Sequence, residues 1–384
     1  MPGEGRASIG MVAGEPSGDL LAATVVEALH ERAPQLALAG IGGPKMQAQG
    51  FDAWYPMHKL AVNGYADVLM HLPELLNIRR TLRERWLAER PAAFVGVDAP
   101  DFNFGLEHAL REGGIPTVHF IGPSLWAWRG ERINKIREAV SHMLVVFPFE
   151  EQIYRDAGVP VTYVGHPLAR IVDRVPDRAA ARARYGIAAD ARVLALMPGS
   201  RAGEMRHLAP RFLAAAKLLQ ARDPALQLWA PMANAERERE FLAHAAAVGG
   251  LANLHTVIGG THDILAACNA VLVASGTATL EAALFKRPMV ISYVLPRLSW
   301  WIMRRQAYLP WVGLPNVLCR DTVVPELLQD EATPRALADA AWKALTDEAA
   351  IRRLEERFTA LHDDLVRDTP ALASQAILEV ADHG

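Results

Sequence analysis

Residues 271 to 284 read Val-Leu-Val-Ala-Ser-Gly-Thr-Ala-Thr-Leu-Glu-Ala-Ala-Leu, an apolar run followed by a glycine turn and a helical pattern. The run at 271–273 is typical of a strand buried in a parallel sheet, and the apolar residues after the turn recur at helical spacing. Gly276 lets the backbone approach a ligand closely. The hydroxyls of Ser275 and Thr277, with the unpaired amides of a first helical turn, favour a phosphate. The stretch therefore predicts a strand-to-helix turn that binds a nucleotide diphosphate.

The chain contains two further glycine-containing turns, one after the first predicted strand of each half. They are residues 14–19 (Gly-Glu-Pro-Ser-Gly-Asp) and 198–204 (Pro-Gly-Ser-Arg-Ala-Gly-Glu). Neither has the dinucleotide or the P-loop spacing of glycines, which argues against NAD binding and P-loop ATP chemistry. Each turn alone equally suits a plain connection in a doubly wound fold. Arg201 favours a ligand site, because a guanidinium at a helix N-terminus can pair with a diphosphate. Glu281, on the helix after the first turn described, is placed to accept hydrogen bonds from a ribose.

Short apolar runs alternate with longer Ala-, Leu- and Arg-rich helical patterns, which is the rhythm of a parallel α/β sheet, and the rhythm occurs twice. In the first half we predict strands at 9–13, 36–39, 93–97, 117–121, 143–147 and 161–164. In the second half we predict strands at 193–197, 226–230, 255–257, 271–274 and 289–294. A proline-, arginine- and alanine-rich segment separates the halves. We therefore predict an α/β fold of two Rossmann-like doubly wound domains facing a cleft, at 1–170 and 171–346, with terminal helices at about 347–384.

Composition restricts the class of protein. The 384 residues exceed what one hydrophobic core usually spans, which agrees with two domains. With 51% hydrophobic residues, 22% charged residues and a net charge of -3, a disordered chain and a generic nucleic-acid binder are both disfavoured. The only two cysteines, Cys268 and Cys319, exclude a disulfide scaffold or a Cys-rich zinc site. No metal-binding motif is present, and no uncharged stretch reaches the roughly 18 to 20 residues of a membrane span. We expect a soluble or peripheral protein that uses no metal.

Asp98 ends the strand predicted at 93–97, and Pro100-Asp101-Phe102-Asn103 follows it. A carboxylate at the C-terminal edge of a parallel sheet faces a ligand crevice, where it can act as a general base on a hydroxyl. The segment Asp-Ala-Pro-Asp equally suits a helix cap or a turn. The residues alone therefore leave Asp98, Asp101, His119 and His166 open as candidates for a base.

Several motifs occur together in order along nearly the whole chain. They are Val12-Ala-Gly-Glu-Pro-Ser-Gly-Asp19, Asp98-Ala-Pro-Asp-Phe-Asn103, Pro123-Ser-Leu-Trp-Ala-Trp-Arg129, Gly165-His-Pro167, Gly199-Ser-Arg201, Ser275-Gly-Thr-Ala-Thr-Leu-Glu281 and Leu314-Pro-Asn316. In this set the chain resembles the lipid-A-disaccharide synthases. The resemblance implies a GT-B fold in which the C-terminal domain binds the nucleotide and the terminal helices return to the N-terminal domain. It also allows a homodimer.

The resemblance further implies the reaction, a step of lipid A and lipopolysaccharide biosynthesis in Gram-negative bacteria. An inverting glycosyltransferase joins UDP-2,3-diacylglucosamine to 2,3-diacylglucosamine 1-phosphate, giving a β-1,6-linked disaccharide and UDP without a metal or other cofactor. By the same resemblance Asp98 is the base. The resemblance places the binding residues at Glu15 and Ser17 on the sugar side and at Arg201, Ser275, Gly276, Thr277, Glu281 and Asn316 on the nucleotide side.

Acylated substrates imply that the protein contacts a membrane. We expect a cytoplasmic protein that binds peripherally to the inner face of the inner membrane. Five apolar residues repeat at helical spacing ahead of four arginines: Val68, Leu69, Leu72, Leu75 and Leu76. This pattern suits anionic headgroups, and it equally suits a helix that packs on a sheet. A second candidate is the segment 298–305, where two tryptophans precede two arginines. The aromatic residues Trp126 and Trp128 equally suit an acyl-chain lining or structural packing.

Two other classes of protein remain open. The first is another UDP-sugar enzyme of the same architecture, either the peptidoglycan N-acetylglucosaminyltransferase or a UDP-N-acetylglucosamine 2-epimerase. These enzymes are expected to share the Glu281 region but not the turn at 14–19 or the Asp98 segment. The second is a module that binds nucleotide sugars or glycolipids without turning them over.

Overall fold

The computed structural model describes residues 7–60, 65–127, 130–306 and 308–383. The chain divides into two compact units, one of Met1–Pro167 with Leu365–Gly384 and the other of Leu168–Asp364. Each unit contains one parallel sheet, of seven strands in the first and six in the second, with helices connecting the strands. The α/β architecture predicted from the sequence is therefore confirmed.

The first sheet has the order β3-β2-β1-β4-β5-β6-β7. Its strands are β1 Ser8–Ala13, β2 Ala37–Gly42, β3 Asp52–Pro56, β4 Ala93–Val97, β5 Thr117–Phe120, β6 His142–Val145 and β7 Val161–Tyr163. Its helices are α1 Pro16–Arg32, α2 Pro44–Ala48, α3 Tyr65–Glu89, α4 Pro100–Glu112, α5 Arg132–Ala139 and α6 Glu150–Asp156. Helix α7, Pro167–Ile171, leads into the second unit.

The second sheet has the order β10-β9-β8-β11-β12-β13. Its strands are β8 Val193–Met197, β9 Gln227–Met232, β10 Leu254–Ile258, β11 Ala270–Ala274, β12 Met289–Tyr293 and β13 Glu326–Leu328. The helices from here to the C-terminus are α8 Arg178–Arg184, α9 Ala202–Arg222, α10 Ala235–Ala247, α11 Thr261–Ala267, α12 Thr277–Leu284, α13 Arg297–Gln306, α14 Leu314–Cys319, α15 Pro334–Thr346, α16 Glu348–Leu365 and α17 Thr369–Asp382.

All eleven predicted strands are present, and the structure adds β3 and β13. Both added strands lie at an edge of their sheet and none of their residues is fully buried. An edge strand lacks the continuous apolar run of a central parallel strand, so its sequence carries a weaker signal.

Prolines fix where several helices of the first unit begin. Pro16, Pro44 and Pro100 each stand at the start of a helix, where the fixed φ of proline suits the first turn and its missing N–H costs nothing. Asp19 in α1 is buried and accepts hydrogen bonds from the backbone amides of Gly43 (2.9 Å) and Met46 (3.1 Å) at the N-terminus of α2. Asp19 therefore joins the first two strand-to-helix turns of the sheet.

The two terminal helices lie in different units. Helix α17 packs on α1 and against β4, β5 and β7 of the first unit. Helix α16 bonds to the second unit: the buried His362 donates through Nε2 to the Ala169 carbonyl at 2.7 Å, and Asp363 pairs with Arg174 at 2.7 Å. The sequence prediction joined both helices to the first domain. In the structure the chain passes back to the first unit at residue 365, after α16.

Candidate functional site

Strand order reverses once in each sheet, between β1 and β4 in the first and between β8 and β11 in the second. At such a switch point the connections leave in opposite directions, and a crevice opens at the carboxyl ends of the two strands. A cavity lies at each switch point, one of about 410 Å³ in the second unit and one of about 340 Å³ in the first. We call them the second-unit cavity and the first-unit cavity.

The second-unit cavity is lined by the turns that follow β8, β9 and β11 and by the first residue of α11. Its lining residues are Met197, Gly199, Ser200, Arg201, Glu204, Pro231, Ala233, Thr261, Ala274, Ser275, Gly276, Thr277, Ala278 and Glu281. The sequence prediction named five of these residues as nucleotide-binding, and the fold brings all five to one place: Arg201, Ser275, Gly276, Thr277 and Glu281.

The turn before α12 presents backbone amides to this cavity. Gly276 has φ +145° and ψ −164°, a conformation that is essentially restricted to glycine, and a side chain there would enter open space. The Ser275 hydroxyl donates to the Val312 carbonyl at 2.7 Å, and the Thr279 hydroxyl donates to the Gly276 carbonyl at 2.7 Å. These two hydroxyls therefore fix the turn, while Thr277 is exposed at the start of the helix. The first amides of α12 have no carbonyl within the helix to bond, and so they suit an anion.

The turn before α9 adds a positive charge. Gly199 has φ +106°, and a Cβ there would overlap the Glu204 carboxylate. Glu204 accepts a hydrogen bond from the Arg201 amide at 3.3 Å, which holds the turn at the third position of the helix. The Arg201 side chain is 82% exposed and its guanidinium lies 3.4 Å from Glu204. An exposed guanidinium at a helix N-terminus is free to pair with a phosphate.

Glu281 lies one turn into α12 and lines the same cavity. Burial raises the pKa of Glu281 to about 6, since the charged carboxylate loses hydration. At neutral pH the group is still mostly ionised, and a carboxylate accepts hydrogen bonds from hydroxyl groups.

Asn316 is fully buried, outside the residues that line this cavity. Its side chain donates to the Val324 carbonyl (2.9 Å) and to Glu326 (2.8 Å) and accepts from the Val324 amide (3.0 Å). Glu326 in turn accepts from the Val312 amide at 2.8 Å, and the Val312 carbonyl is the acceptor of Ser275. A chain of hydrogen bonds through Glu326 and Val312 therefore connects Asn316 to Ser275, which lines the cavity.

The first-unit cavity combines three carboxylates with apolar side chains. Its lining residues are Glu15, Leu60, Leu72, Leu75, Leu76, Arg79, Asp98, Ala99, Pro100, Asp101 and Phe102. Glu15 and Asp98 come from the turns after β1 and β4, as the sequence predicted for one edge of a sheet. Ser17 is exposed on the first turn of α1, and it is not among the described residues that line the cavity.

Asp98 occupies a backbone conformation that L-residues rarely adopt. Its φ is +52°, and the next residue, Ala99, has φ +45°. The Asp98 amide donates to the Phe120 carbonyl at 2.9 Å, and the Asp98 carbonyl accepts from the Asn103 side chain at 2.7 Å. Two adjacent left-handed residues store strain, and strain of this kind clusters at functional sites.

The other candidates for a base are placed less favourably. His119 is fully buried and hydrogen-bonded to Glu107 at 2.7 Å. Burial lowers the pKa of His166 to about 4, and its ring stacks on Phe147. Asp101 has a 90% exposed side chain that pairs with Arg132 at 3.1 Å. Of the four residues, only Asp98 and Asp101 line the first-unit cavity.

The apolar stretch on α3 partly lines this cavity. Leu72 is 40% exposed and Leu76 is 45% exposed, while Leu75 is half-buried. The side chains of Val68 and Leu69 lie outside the described residues, as does Trp128. On α13 and just beyond it, Trp301 is 52% exposed and Tyr308 is 61% exposed. None of the helices in the described ranges is long and apolar enough to cross a membrane.

Sequence reasoning missed Glu204, Glu326, Leu60 and Arg79. Glu204 had a local signal, because a glutamate three residues after the N-cap residue of a helix often accepts a hydrogen bond from the backbone amide of that N-cap residue. The other three reach their cavity or its hydrogen-bond chain only through tertiary contacts. Within the described part of the chain, no group of three or more His, Cys, Asp or Glu side chains is arranged to hold a metal ion.

Comparisons with known proteins agree with this geometry. A family described as lipid-A-disaccharide synthetase matches residues 9–377. The chain is 63% identical to a lipid-A-disaccharide synthase of Bordetella parapertussis, over 97% of this chain and 98% of the relative. It is 53% identical to a lipid-A-disaccharide synthase of Verminephrobacter eiseniae, over 98% of this chain and 97% of that relative.

Solved structures with low sequence identity share the fold. One is the UDP-GlcNAc 2-epimerase from Neisseria meningitidis bound to UDP-GlcNAc, with a TM-score of 0.64 and 12% identity, covering 98% of this chain and 100% of that one. Another is CalG4, the calicheamicin glycosyltransferase, with a TM-score of 0.60 and 16% identity, covering 99% of both chains. These likenesses and the two sheets confirm the predicted GT-B fold class.

Proposed function

The chain belongs to the lipid-A-disaccharide synthetase family, and we propose that it transfers a diacylglucosamine group from UDP to a second acylated sugar. The donor is UDP-2,3-diacylglucosamine and the acceptor is 2,3-diacylglucosamine 1-phosphate. The 6-hydroxyl oxygen of the acceptor attacks the anomeric carbon of the donor from the face opposite UDP. The products are the β-1,6-linked disaccharide 1-phosphate and UDP.

The observation that carries this proposal is the second-unit cavity. It brings the amide end of α12, the Arg201 guanidinium and the Glu281 carboxylate together at the switch point of one sheet. Amides and a guanidinium suit a diphosphate, and a carboxylate about one turn along the helix suits the hydroxyls of a ribose. This spacing of charges matches a nucleoside diphosphate, with the phosphates at the helix end and the ribose at Glu281.

The base is Asp98. Its carboxylate removes the proton of the acceptor 6-hydroxyl as the new bond to the anomeric carbon forms, and the bond from that carbon to the UDP oxygen breaks. Negative charge then grows on UDP, where Arg201 and the amides of Gly276 and Thr277 stabilise it. Glu15 and Ser17 bind on the sugar side. Asn316 holds the turn at Ser275 in place through Glu326 and Val312. In this scheme the Arg201 guanidinium and the backbone amides stabilise the negative charge of the UDP leaving group, which a divalent cation stabilises in many other transferases.

The acyl chains of both substrates place the enzyme at a membrane surface. Leu72, Leu75 and Leu76 line the first-unit cavity, and Leu72 and Leu76 are also exposed to solvent. Trp301 on α13 is exposed with the Arg305 guanidinium 3.8 Å above its ring, a pairing suited to an anionic headgroup region. We place the enzyme on the cytoplasmic, inner face of the inner membrane. A homodimer, which the resemblance allows, is tested by analytical ultracentrifugation.

A UDP-N-acetylglucosamine 2-epimerase activity is the alternative raised by the fold, because one solved structure of similar fold is such an epimerase. At 12% identity that likeness concerns the fold alone. An epimerase has no use for the apolar leucines beside Asp98 or for a lipid acceptor, and so a single assay separates the two activities.

The decisive experiment measures UDP and disaccharide formed from both lipid substrates in detergent, with and without EDTA. We expect products only when the acceptor is present, and no change with EDTA. Asp98→Asn should reduce turnover by about 10²- to 10⁴-fold, which is the usual contribution of a general base. UDP binding by the Asp98→Asn variant, measured by calorimetry, should equal that of the wild type. The proposal fails if the wild type forms no disaccharide or isomerises UDP-N-acetylglucosamine.

A further inference from the structure

A cluster of buried polar side chains lies directly beneath the Asp98 turn, and the scheme above does not use it. Asn103 and Glu107 are one turn apart on the buried face of α4, and His119 lies on β5 opposite Gly96 of β4. All three side chains are fully buried. We call Asn103, Glu107 and His119 the buried triad.

The triad is built into the sheet. A Cβ at Gly96 would overlap the Glu107 carboxylate and approach the Asn103 side chain to 3.0 Å, so this strand leaves room for both groups. His119 Nδ1 lies 2.7 Å from Glu107 Oε1, and the Phe104 ring packs against the imidazole in a tilted arrangement at 4.5 Å between centroids. Burial raises the pKa of Glu107, while the neighbouring His119 opposes that rise.

The triad is also incompletely satisfied. Eight buried side-chain polar atoms in the described part of the chain have no hydrogen-bond partner, and three of them are Asn103 Oδ1, Glu107 Oε2 and His119 Nε2. Unpaired buried polar atoms cost stability, and apolar residues of similar volume often serve stability at least as well. Stability alone therefore does not account for a polar cluster at this position.

Of the three side chains, Asn103 is the one that bonds to the Asp98 turn. The Asn103 Nδ2 group donates to the Asp98 carbonyl at 2.7 Å, and the Asn103 amide donates to the Ala99 carbonyl at 3.0 Å. Asp98 and Ala99 both hold positive φ angles, which persist only where surrounding contacts determine them. Asn103 supplies two such contacts, and Glu107 lies on the same face one turn below it.

We propose that Asn103, Glu107 and His119 form a positioning unit that holds the strained Asp98–Ala99 turn and so aims the Asp98 carboxylate at the acceptor hydroxyl. The unit touches no substrate and acts through the backbone of Asp98. The proposal rests on the proposed function only in assigning the base to Asp98. It adds three residues that set the rate of transfer without setting nucleotide affinity.

The test compares Asn103→Ala, Asp98→Asn and the double variant in the disaccharide assay. We expect Asn103→Ala to lower kcat by about 10²-fold, since a shift of about 1 Å in a reacting group has effects of that size. The KM for the UDP donor should stay within twofold, because the residues assigned to UDP lie in the second-unit cavity. In the double variant the loss should equal that of Asp98→Asn alone, since residues that act as a unit are not additive. Independent, multiplying losses would overturn the proposal.

Two further variants separate positioning from folding. Leu110→Ala removes a fully buried side chain from the same face of α4 without contact to the turn. It should lower the melting temperature and leave kcat within twofold. Glu107→Gln replaces the carboxylate with an amide that can still bond His119, and it should retain most of the kcat that Glu107→Ala loses. If Leu110→Ala lowers kcat as strongly as Asn103→Ala, the effect comes from stability and the proposal is wrong.

Hydrogen exchange of the peptide 97–103 gives a readout that needs no turnover. Asn103→Ala should increase exchange in this peptide, and Leu110→Ala should not do so selectively. Unchanged exchange in Asn103→Ala would contradict the positioning role. If the wild-type enzyme forms no disaccharide, the proposed function fails, and the exchange data still decide whether the triad holds the turn.

Discussion

The two switch-point cavities differ in the residues that form their turns and in the side chains that line them. In the second-unit cavity the backbone turns through glycines, Gly199 and Gly276, which adopt positive φ without strain. In the first-unit cavity the corresponding turn uses Asp98 and Ala99, two L-residues with positive φ, above a polar cluster. The second-unit cavity is lined by amides and charged side chains, whereas the first has leucines beside its carboxylates.

The difference agrees with the function that we propose for each cavity. A diphosphate needs close approach of backbone amides, which a glycine turn provides at little energetic cost. A base needs a side chain aimed at one hydroxyl, so glycine cannot replace Asp98, and the strain of its conformation has to be offset by surrounding contacts. We therefore expect substitutions at the two turns to have opposite effects on stability and binding.

Beyond the substitutions at Asp98 and Asn103, the largest effect is expected for Gly276→Ala. A side chain at φ +145° and ψ −164° strains the turn by about 1 to 3 kcal/mol, although the space is open. The amides should then move, and the affinity for UDP should fall by about 10- to 100-fold in calorimetry. Gly203→Ala is the matched control, because its φ is ordinary and a Cβ there also meets nothing. Equal UDP affinity in both variants would contradict the assignment of the α12 turn to the phosphates.

Glu281→Gln should separate stability from binding in the second-unit cavity. The pKa of Glu281 is raised from 4.5 to about 6, so its ionisation in the folded protein costs about 2 kcal/mol above pH 6. The variant should be more stable than the wild type at pH 8, by up to that amount, and equally stable at pH 4, where both states are protonated. Denaturant unfolding at the two pH values measures this difference. UDP affinity should fall in the same variant, and a gain in affinity would exclude a ribose contact.

Ala99→Gly tests the strain in the first-unit cavity. Glycine adopts φ +45° without the cost of about 1 kcal/mol that an L-residue carries in the left-handed region. The variant should therefore unfold at a higher denaturant concentration, and turnover should stay within about threefold, because Asn103 still bonds the Asp98 carbonyl. Lower stability would show that Ala99 is not strained.

The smallest effect is expected for Asp101→Asn, which distinguishes the two carboxylates of the same segment. The Asp101 side chain is 90% exposed and pairs with Arg132 at the surface. Exposed ion pairs contribute little, so we expect stability within about 0.5 kcal/mol and turnover within twofold of the wild type. A loss as large as that of Asp98→Asn in the disaccharide assay would move the base to Asp101.

Much of the fold follows from local sequence. Of the eleven predicted strands, nine are central, and two, β7 and β10, lie at sheet edges. A central parallel strand buried on both faces needs a continuous apolar run, and such a run is visible without tertiary information. The edge strands β3 and β13 lack it. Helix α16 was assigned to the first domain from the family resemblance, whereas its docking depends on contacts from His362 and Asp363 to residues about 190 positions away.

Local sequence is enough to identify the turns to which we assign the nucleotide, since Gly276, Arg201 and Glu281 lie within short segments that have a strand-to-helix pattern. The hydrogen-bond partners around the two cavities, in contrast, depend on the tertiary structure. It showed that Ser275 is tied to Val312, that Asn316 is buried behind Glu326, and that Glu107 and His119 pair beneath Asp98. The physical reason is that hydrogen bonds and burial depend on which strands become neighbours. Strand order in a doubly wound sheet is set by packing of the whole domain and not by any short segment.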